Sequence, residues 1–275
     1  MTANLIRLGA VAYDPKVVTI WDGFRRWFFD HDLSVDYVLY SNYERQVLDL
    51  VAGRLDVAWN SPLAWVRTRR LAPAARATVM RDTDCDLSSV VVVRADSGIG
   101  EVSQLAGCVV GTGAVDSPQA TLLPLSLLTG VPVVLRRHDV GVGLHGDHIG
   151  GERDAARALI DGDADAACML DANHLAFTKQ GTLPAGATRV IAQTEPYDHC
   201  NMTVIGAGNP GLDRFVELLL GMDYADASVR PLLDLEGLTR WVPGRVEGYR
   251  QLESAVDRFG FYDREGGVTA DGYAP

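Results

Sequence analysis

The densest run of residues capable of proton transfer or metal binding is HDVGVGLHGDHIGGERD, residues 138–154. Within it, His145 and His148 form an H-x-x-H pair that can bring two imidazoles onto one cation or one substrate. A glycine-rich loop constrains side-chain direction little, so three interpretations stay open: a metal site, substrate contacts and a solvated loop. We expect no resident cofactor or metal, and keep His145 and His148 as metal and catalytic candidates.

A second candidate for chemistry is Cys200, which follows His199 in the stretch YDHCNM. A thiol beside an imidazole can be activated as a nucleophile. Adjacent side chains on a regular strand point to opposite faces, so His199 is predicted not to act as the base for Cys200. The alternative is that Cys200 is a small buried apolar side chain. The four cysteines form no C-x-x-C motif, which argues against a zinc knuckle and favours free thiols.

A polar turn, Asn60-Ser61-Pro62, separates the apolar strand pattern of residues 55–59 from an apolar helix start. The turn from a strand into a helix amino terminus is a common ligand site in α/β proteins, because free backbone N–H groups point outwards there. Asn60 and Ser61 are therefore candidates to contact an anion or another polar group. The alternative is an ordinary helix N-cap followed by proline at the first helical position.

Strand and helix patterns alternate along the chain, which predicts an α/β protein with largely parallel sheets covered by helices. Extended runs at 88–96 and near 196–206 are predicted to cross between two lobes. This assigns residues 1–93 and 200–275 to lobe 1 and residues 94–199 to lobe 2. Two crossings leave a central cleft between hinged lobes as the expected ligand site.

Two further expectations concern packing. Four aromatic residues recur at helical spacing, and most of them are predicted to face the core: Trp21, Phe24, Trp27 and Phe28. The tail from Asp263 onwards is rich in glycine and polar residues and is expected to fray.

Composition excludes several classes of partner. The formal net charge of −11 argues against a general nucleic-acid or anionic-membrane binder. No window of 18 apolar residues is present, so we expect no membrane insertion. The first residues have no signal-peptide pattern, which predicts a cytoplasmic location; a periplasmic or extracellular one is expected if a leader was removed.

Four segments together resemble a known family: YERQVLDLVAGRLDVAWNSPLAWV, VVVRADSGIGEVSQLAGCVVGTG, RDAARALIDGDADAACMLD and WVPGRVEGYRQL. They are similar to the phosphonate- and phosphite-binding proteins of ABC transporters, with a cytoplasmic homologue as the alternative to an exported protein. The segments occur in the family's order between about residues 5 and 258. The resemblance implies the two-lobe type 2 periplasmic-binding-protein fold, α/β in class, with two crossing strands and a central cleft. The candidate ligand-binding residues are Tyr13, Tyr43, Asn60, Ser61, Ser117, Gln119, Thr121, Arg153 and Asp171.

The chain departs from the family pattern where the second lobe is expected to bind the phosphonate. Asp116 places a carboxylate there, and Pro118 removes one N–H donor. Arg153 occupies a position where the family often has histidine, and a guanidinium can bind an oxyanion through two hydrogen bonds. We therefore expect simple alkylphosphonates to bind poorly and Arg153 to hold a carboxylate or other oxyanion.

Two functions from different classes follow. The first is a hinged cleft protein that binds a small anionic or zwitterionic metabolite, with an ABC transporter permease as partner if it is exported. The second is a cytoplasmic enzyme on the same fold, acting on a small polar metabolite with His145, His148 or Cys200 participating. A ligand-sensing partner of another cytoplasmic protein is a third possibility.

Overall fold

The computed structural model describes residues 5–139, 141–142, 145–146, 148–206 and 209–273, with only the backbone of 141–142, 145–146 and 148. Its strands, in chain order, are β1 Ile6–Val11, β2 Val35–Tyr40, β3 Val57–Asn60, β4 Ala75–Arg81, β5 Ser89–Arg94, β6 Val109–Thr112, β7 Val134–Arg137, β8 Gly141–Val142, β9 His145–Gly146, β10 Ala166–Leu170, β11 Thr188–Gln193, β12 Asn201–Ile205 and β13 Trp241–Pro243. Its α-helices are α1 Lys16–Asp30, α2 Tyr43–Val51, α3 Pro62–Leu71, α4 Leu123–Leu127, α5 His148–Asp161, α6 Asp171–Lys179, α7 Leu212–Leu220, α8 Arg230–Glu236 and α9 Arg250–Phe259.

The strands form two main sheets, each with three parallel strands at one end and antiparallel strands at the other. The first has the order β13-β4-β12-β3-β1-β2 and therefore combines strands from both ends of the chain. The second has the order β11-β5-β10-β6-β7. Strands β1, β2 and β3 run parallel, as do β6, β7 and β10, whereas β5 and β12 run antiparallel to their neighbours. The α/β architecture with two sheets is as predicted.

Two crossover segments, residues 82–88 and 194–200, connect the sheets and pair with each other. Leu87 and Tyr197 exchange both backbone hydrogen bonds, each 2.8 Å from nitrogen to oxygen. The division into lobes at residues 93 and 199 stays a prediction. However, Ser89–Arg94 pairs inside the second sheet, so by strand membership the first crossover ends before Ser89 rather than at residue 93.

An ion pair between the half-exposed Arg245 and the buried Asp198 holds the crossovers together. The Arg245 guanidinium donates to both carboxylate oxygens of Asp198, at 2.7 and 2.6 Å, and to Asp86 at 2.6 Å. The Asp198 side chain is fully buried, and the backbone N–H of Asp86 also donates to it at 3.2 Å. Arg245 therefore ties one residue of each crossover to the loop that precedes α9.

The apolar core follows the helical and strand periodicity. Trp21, Phe24 and Phe28 are buried on the inner face of α1, as predicted. The valines of β5 are buried on both faces, since this strand lies inside the second sheet. Among the described helices, none combines the length and the apolar character needed to cross a bilayer.

Candidate functional site

A cleft of about 590 Å³ lies where the carboxyl ends of strands from both sheets meet the crossover segments. Ligands of open α/β sheets bind at such edges. The polar side chains of its wall are Tyr13, Asp14, Lys16, Tyr43, Glu44, Ser61, Arg81, Thr83, Asp84, Asp116, Gln119, Asn173, His199, Cys200, Tyr262 and Tyr273.

Several helices begin at this wall, namely α1, α2, α3 and α6. Asn42 and Ser61 cap two of them: the Asn42 Oδ1 atom accepts from the Arg45 N–H at 2.9 Å, and the Ser61 Oγ atom from the Ala64 N–H at 3.3 Å. The remaining N–H groups of a first helical turn carry partial positive charge. Converging helix starts therefore favour a negatively charged group in the cleft.

Five of the candidate ligand-binding and catalytic residues lie in the cleft wall: Tyr13, Tyr43, Ser61, Gln119 and Cys200. Burial is the largest influence on Tyr13 and raises its pKa to about 12, so its hydroxyl keeps its proton at neutral pH. Contact between these residues and a ligand stays a prediction.

Asn60 lies behind the wall rather than in it. Its Oδ1 atom accepts from Gln46 at 2.9 Å, and its Nδ2 atom donates to Thr203 at 2.9 Å and to Thr68 at 3.3 Å. The side chain is fully buried and both ends of the amide are engaged. Asn60 therefore joins β3 to α2, α3 and β12, and its contact with a ligand stays a prediction.

Three candidates of the second sheet also lie outside the wall. Ser117 accepts from the Ala120 N–H at 3.2 Å and caps a π-helical turn, Pro118–Leu122. The Thr121 hydroxyl donates to the Ala114 carbonyl at 2.7 Å, which closes the same turn. Asp171 begins α6, but its neighbours Ala172 and Asn173 line the cleft instead. Ser117 and Thr121 thus shape the wall without being part of it.

Arg153 is not among the residues of the wall either, and the prediction that it holds an oxyanion is untested. Its guanidinium lies 5.2 Å from the centre of the Phe177 ring and donates to the Gln180 side chain at 3.2 Å. One residue earlier on α5, Glu152 is fully buried. Because neighbouring helical residues point about 100° apart, Arg153 is directed towards α6 when Glu152 faces inwards.

His145 and His148, the candidates from the glycine-rich loop, have side chains outside the described part of the structure. Their roles as metal ligands or catalytic residues stay predictions.

One side of the cleft is acidic and aromatic. Glu44 and Asp116 are 7% and 8% exposed, and both act electrostatically on Tyr262 and Tyr273. The Tyr273 hydroxyl donates to Glu44 Oε1 at 2.9 Å, whereas the buried Glu44 Oε2 atom has no hydrogen-bond partner among the described residues. A buried carboxylate oxygen without a partner can accept a hydrogen bond from a positively charged or other donor group.

The opposite side contains a buried arginine with two carboxylates. Arg81 donates to Asp84 through Nε at 2.5 Å and Nη2 at 2.9 Å, and lies 3.5 Å from Glu236. Its guanidinium also lies 5.3 Å from the Trp59 ring centre. Burial is the largest single influence on Asp84 and raises its pKa, but the charges and hydrogen bonds of Arg81 and His199 together outweigh burial and lower that pKa to about 2. Arg81 is thus already occupied by protein carboxylates.

His199 and Cys200 face each other despite being adjacent in sequence. The His199 Nδ1 atom lies 3.1 Å from Cys200 Sγ and 3.5 Å from Asp84 Oδ1. The prediction that the two side chains point apart is wrong because residues 198–200 precede β12 and are not in a regular strand. Burial lowers the pKa of His199, but Cys200 and the contact with Asp84 outweigh burial and raise it to about 10.

A buried carboxylate, Glu152, supports the wall of the second sheet. Its Oε2 atom accepts from the Leu170 N–H and from Asn173 Nδ2, both at 2.8 Å. Its Oε1 atom has no partner among the described residues, and neither has the nearby Gln119 Oε1 atom. Burial raises the pKa of Glu152 to about 7, although hydrogen bonds from Asn173, Leu170 and Gln119 oppose the shift.

We expect Glu152→Gln to increase stability at pH 8 by roughly 2–3 kcal/mol and to have little effect at pH 4. The folded protein binds the Glu152 proton more tightly than the unfolded chain, so wild-type stability falls as the pH rises from about 4.5 through 7. Glutamine mimics the protonated carboxyl group and can donate to Gln119. Urea unfolding at both pH values measures this, with the exposed Glu217→Gln as control. An equal effect of Glu152→Gln at both pH values contradicts the prediction.

Sequence reasoning missed most charged residues of the wall. Arg81 is the last residue of strand β4, and Asp84 follows shortly after it. The expectation that ligands bind at the carboxyl ends of strands, which led to Asn60, therefore also applied to these two residues. Tyr273 gave no such signal, because its segment was expected to fray. Its hydrogen bond with Glu44 instead connects the tail to α2 over more than 200 residues of sequence.

Comparisons with known proteins agree with this geometry. Residues 14–249 match the model of a family described as the phosphonate periplasmic substrate-binding protein of ABC transporters. PhnD1 from Prochlorococcus marinus in complex with methylphosphonate superposes with a TM-score of 0.67 at 17% identity, over 94% of this chain and 99% of that one. XAC2383 from Xanthomonas citri, bound to chloride, superposes with a TM-score of 0.69 at 17% identity, over 93% of this chain and 98% of that one. The periplasmic aliphatic sulphonate binding protein SsuA from Escherichia coli superposes with a TM-score of 0.55 at 15% identity, over 94% of this chain and 87% of that one. Among curated protein sequences, none matches this chain.

Proposed function

Because the chain belongs to the family of periplasmic substrate-binding proteins of phosphonate ABC transporters, we propose that its cleft binds a small zwitterionic organic molecule. Binding of a small anionic molecule in a hinged cleft is the common function of this family. The finer proposal is that the ligand carries both an oxyanion and a positively charged group. The unpartnered, buried Glu44 Oε2 atom is the observation that carries it.

The positive group is placed at the acidic and aromatic side of the cleft. An ammonium group next to Glu44 would give its free oxygen a charge-assisted hydrogen bond, and Asp116 adds a second negative charge nearby. Tyr262 and Tyr273 add ring faces that attract cations. Without a cation, these buried carboxylates repel one another and any anionic ligand.

The oxyanion is placed at the helix starts. The first turns of α3 and α6 offer backbone N–H groups from opposite sheets, at Leu63 and Ala172, and both residues are in the cleft wall. PhnD1, XAC2383 and SsuA have the same fold as this chain. The PhnD1 structure contains methylphosphonate, the XAC2383 structures contain chloride or ATP, and SsuA is an aliphatic sulphonate binding protein. Anionic ligands therefore have precedent among structural relatives.

Simple alkylphosphonates are expected to be poor ligands. Asp116 stands beside the turn Pro118–Leu122, where the family resemblance places the phosphonate oxygens, and Pro118 supplies no N–H there. A ligand without a positive group also leaves the Glu44 Oε2 atom without a charge-assisted hydrogen bond. The Arg153 part of the earlier hypothesis is dropped, since Arg153 lies outside the cleft wall.

We expect zwitterions such as aminoalkylphosphonates, amino acids or betaines to bind at least about tenfold more tightly than methylphosphonate or phosphate. Glu44→Gln should weaken the best zwitterion by about 10- to 100-fold, because one charge-assisted hydrogen bond is worth about 1.5–3 kcal/mol. Calorimetry with the five ligand classes on wild type, Glu44→Gln and the exposed control Glu195→Gln measures both effects. Tight methylphosphonate binding that survives Glu44→Gln would reject the proposal.

Family membership also supports a transport role. We propose that the protein acts outside the cytoplasmic membrane and delivers its ligand to a permease of an ABC transporter. The enzyme alternative has no support among the relatives described above.

A further inference from the structure

The geometry points to a zinc site formed by Asp84, His199 and Cys200 at the floor of the cleft. Each residue offers one donor atom, and the three atoms lie within 4.8 Å of one another. All three residues belong to the cleft wall. The inference is independent of the organic ligand, since it concerns the metal ion alone.

The donor set suits zinc by chemical type. A thiolate, an imidazole nitrogen and a carboxylate oxygen are the three donors that proteins use for Zn²⁺. Magnesium and calcium prefer oxygen donors only, so the thiol of Cys200 argues against them. Three protein ligands also leave the fourth tetrahedral position open.

The distances between donor atoms are close to those that a tetrahedral ion requires. With metal–ligand bonds of about 2.0–2.3 Å, neighbouring donors stand roughly 3.3–3.6 Å apart. The His199 Nδ1 atom lies 3.1 Å from Cys200 Sγ and 3.5 Å from Asp84 Oδ1. Displacements of the donor atoms by a few tenths of an ångström therefore bring these two distances into the required range.

The backbone around the site is well anchored. The His199 N–H donates to the Asp84 carbonyl at 2.8 Å, which holds the two crossover segments side by side. The Tyr249 hydroxyl donates to the His199 carbonyl at 2.7 Å. Next to His199, Asp198 is fixed by Arg245. The donors from the two segments are thus brought together before any metal binds.

Local charge also favours a divalent cation. Metal binding displaces the protons of the Cys200 thiol and the His199 ring, so the ion takes the place of positive charge next to Asp84. The Cys200 thiolate and the Asp84 carboxylate then both face the ion, with the Arg81 guanidinium beside Asp84. The exposed Lys16 acts on Glu236 only from the rim. Arg81 occupies one acceptor site on each Asp84 oxygen, and a carboxylate has about four such sites, so Asp84 can still bind an ion.

The test is a zinc titration of chelator-treated protein, in competition with a chromophoric chelator and without organic ligand. We expect one Zn²⁺ per chain, and Co²⁺ in its place should show thiolate-to-cobalt charge-transfer absorption. Cys200→Ser and His199→Gln should each weaken zinc binding at least about 100-fold. Cys108→Ser, which removes a thiol of the second sheet outside the cleft, should leave the affinity within about twofold.

Circular dichroism of each variant shows that it is folded before its affinity is compared. No zinc binding by wild type, or binding that Cys200→Ser and His199→Gln leave unchanged, overturns the inference. A loss confined to Cys108→Ser assigns the zinc to a surface thiol and overturns it equally.

Discussion

Arg81→Met is expected to lower the free energy of unfolding by about 3 kcal/mol. Methionine removes the guanidinium from Asp84 and Glu236, whose side chains are 3% and 4% exposed. The buried Glu236 carboxylate then loses its ion-pair partner, and Asp84 keeps only His199. The Glu236 carbonyl also loses its hydrogen bond from Arg81 Nη1. Urea unfolding at pH 7 measures the loss.

A closely matched control exists on the surface. Arg25 also contacts two carboxylates, Asp22 at 2.8 Å and Asp36 at 3.3 Å, and lies 5.5 Å from a tyrosine ring centre. Its side chain is 50% exposed, so Arg25→Met should cost at most about 1 kcal/mol. Equal losses for Arg25→Met and Arg81→Met contradict the prediction.

A second variant tests the reason for the loss. Burial raises the pKa of Glu236 to about 7, against the lowering effect of Arg81. Glu236→Gln in the Arg81→Met background should therefore recover part of the lost stability, since the charge that lost its partner is gone. No recovery at all would mean that the lost packing of Arg81 on Trp59 dominates instead.

Gly248→Ala is expected to destabilise the protein by about 2–3 kcal/mol through the crossover segments. A Cβ atom at this position would lie 2.2 Å from Asp198 Oδ2, 2.3 Å from Cγ and 2.8 Å from Cβ. The carboxylate must move, which breaks its two hydrogen bonds with Arg245 and the one from the Asp86 N–H. Thermal unfolding and hydrogen exchange of the amides of Asp86 and Leu87 measure the effect.

Gly100→Ala is the matched control for this substitution. The nearest atom to an added Cβ there is Gln104 Oε1 at 3.6 Å, an ordinary contact. Neither Gly100 nor Gly248 needs a left-handed backbone, so the two changes differ in steric conflict alone. We expect at most about 0.5 kcal/mol for Gly100→Ala. A neutral Gly248→Ala would show that Asp198 moves without cost.

The class of fold and several helix starts were predictable because they depend on local sequence. Alternating strand and helix patterns predicted an α/β protein, and each main sheet contains three adjacent parallel strands. Asn42 and Ser61 cap α2 and α3 as their residue types indicate. Helix and strand propensity, capping and hydrophobic periodicity each depend on a few neighbouring residues, so they can be recognised in a single sequence.

The family was also predictable, since four segments in order span most of the chain, and the match over residues 14–249 confirms it. Individual ligand-facing residues were harder to predict. Asn60 and Ser61 are adjacent and both polar, yet one lies in the core network and the other in the cleft wall. Which of two neighbours faces a cavity depends on the backbone rotation at the end of the strand.

Long-range contacts were decided only by the tertiary structure. Arg81 meets Glu236, Tyr273 meets Glu44 and Asp84 meets His199 across more than 100 residues of sequence. The proximity of His199 to Cys200 depends on an irregular segment, for which strand alternation makes the wrong prediction. The sequence by itself determined the elements and their order, because short-range forces act within each segment. The tertiary structure decided which charges share the buried cleft, because that depends on how the two sheets and the crossover segments pack.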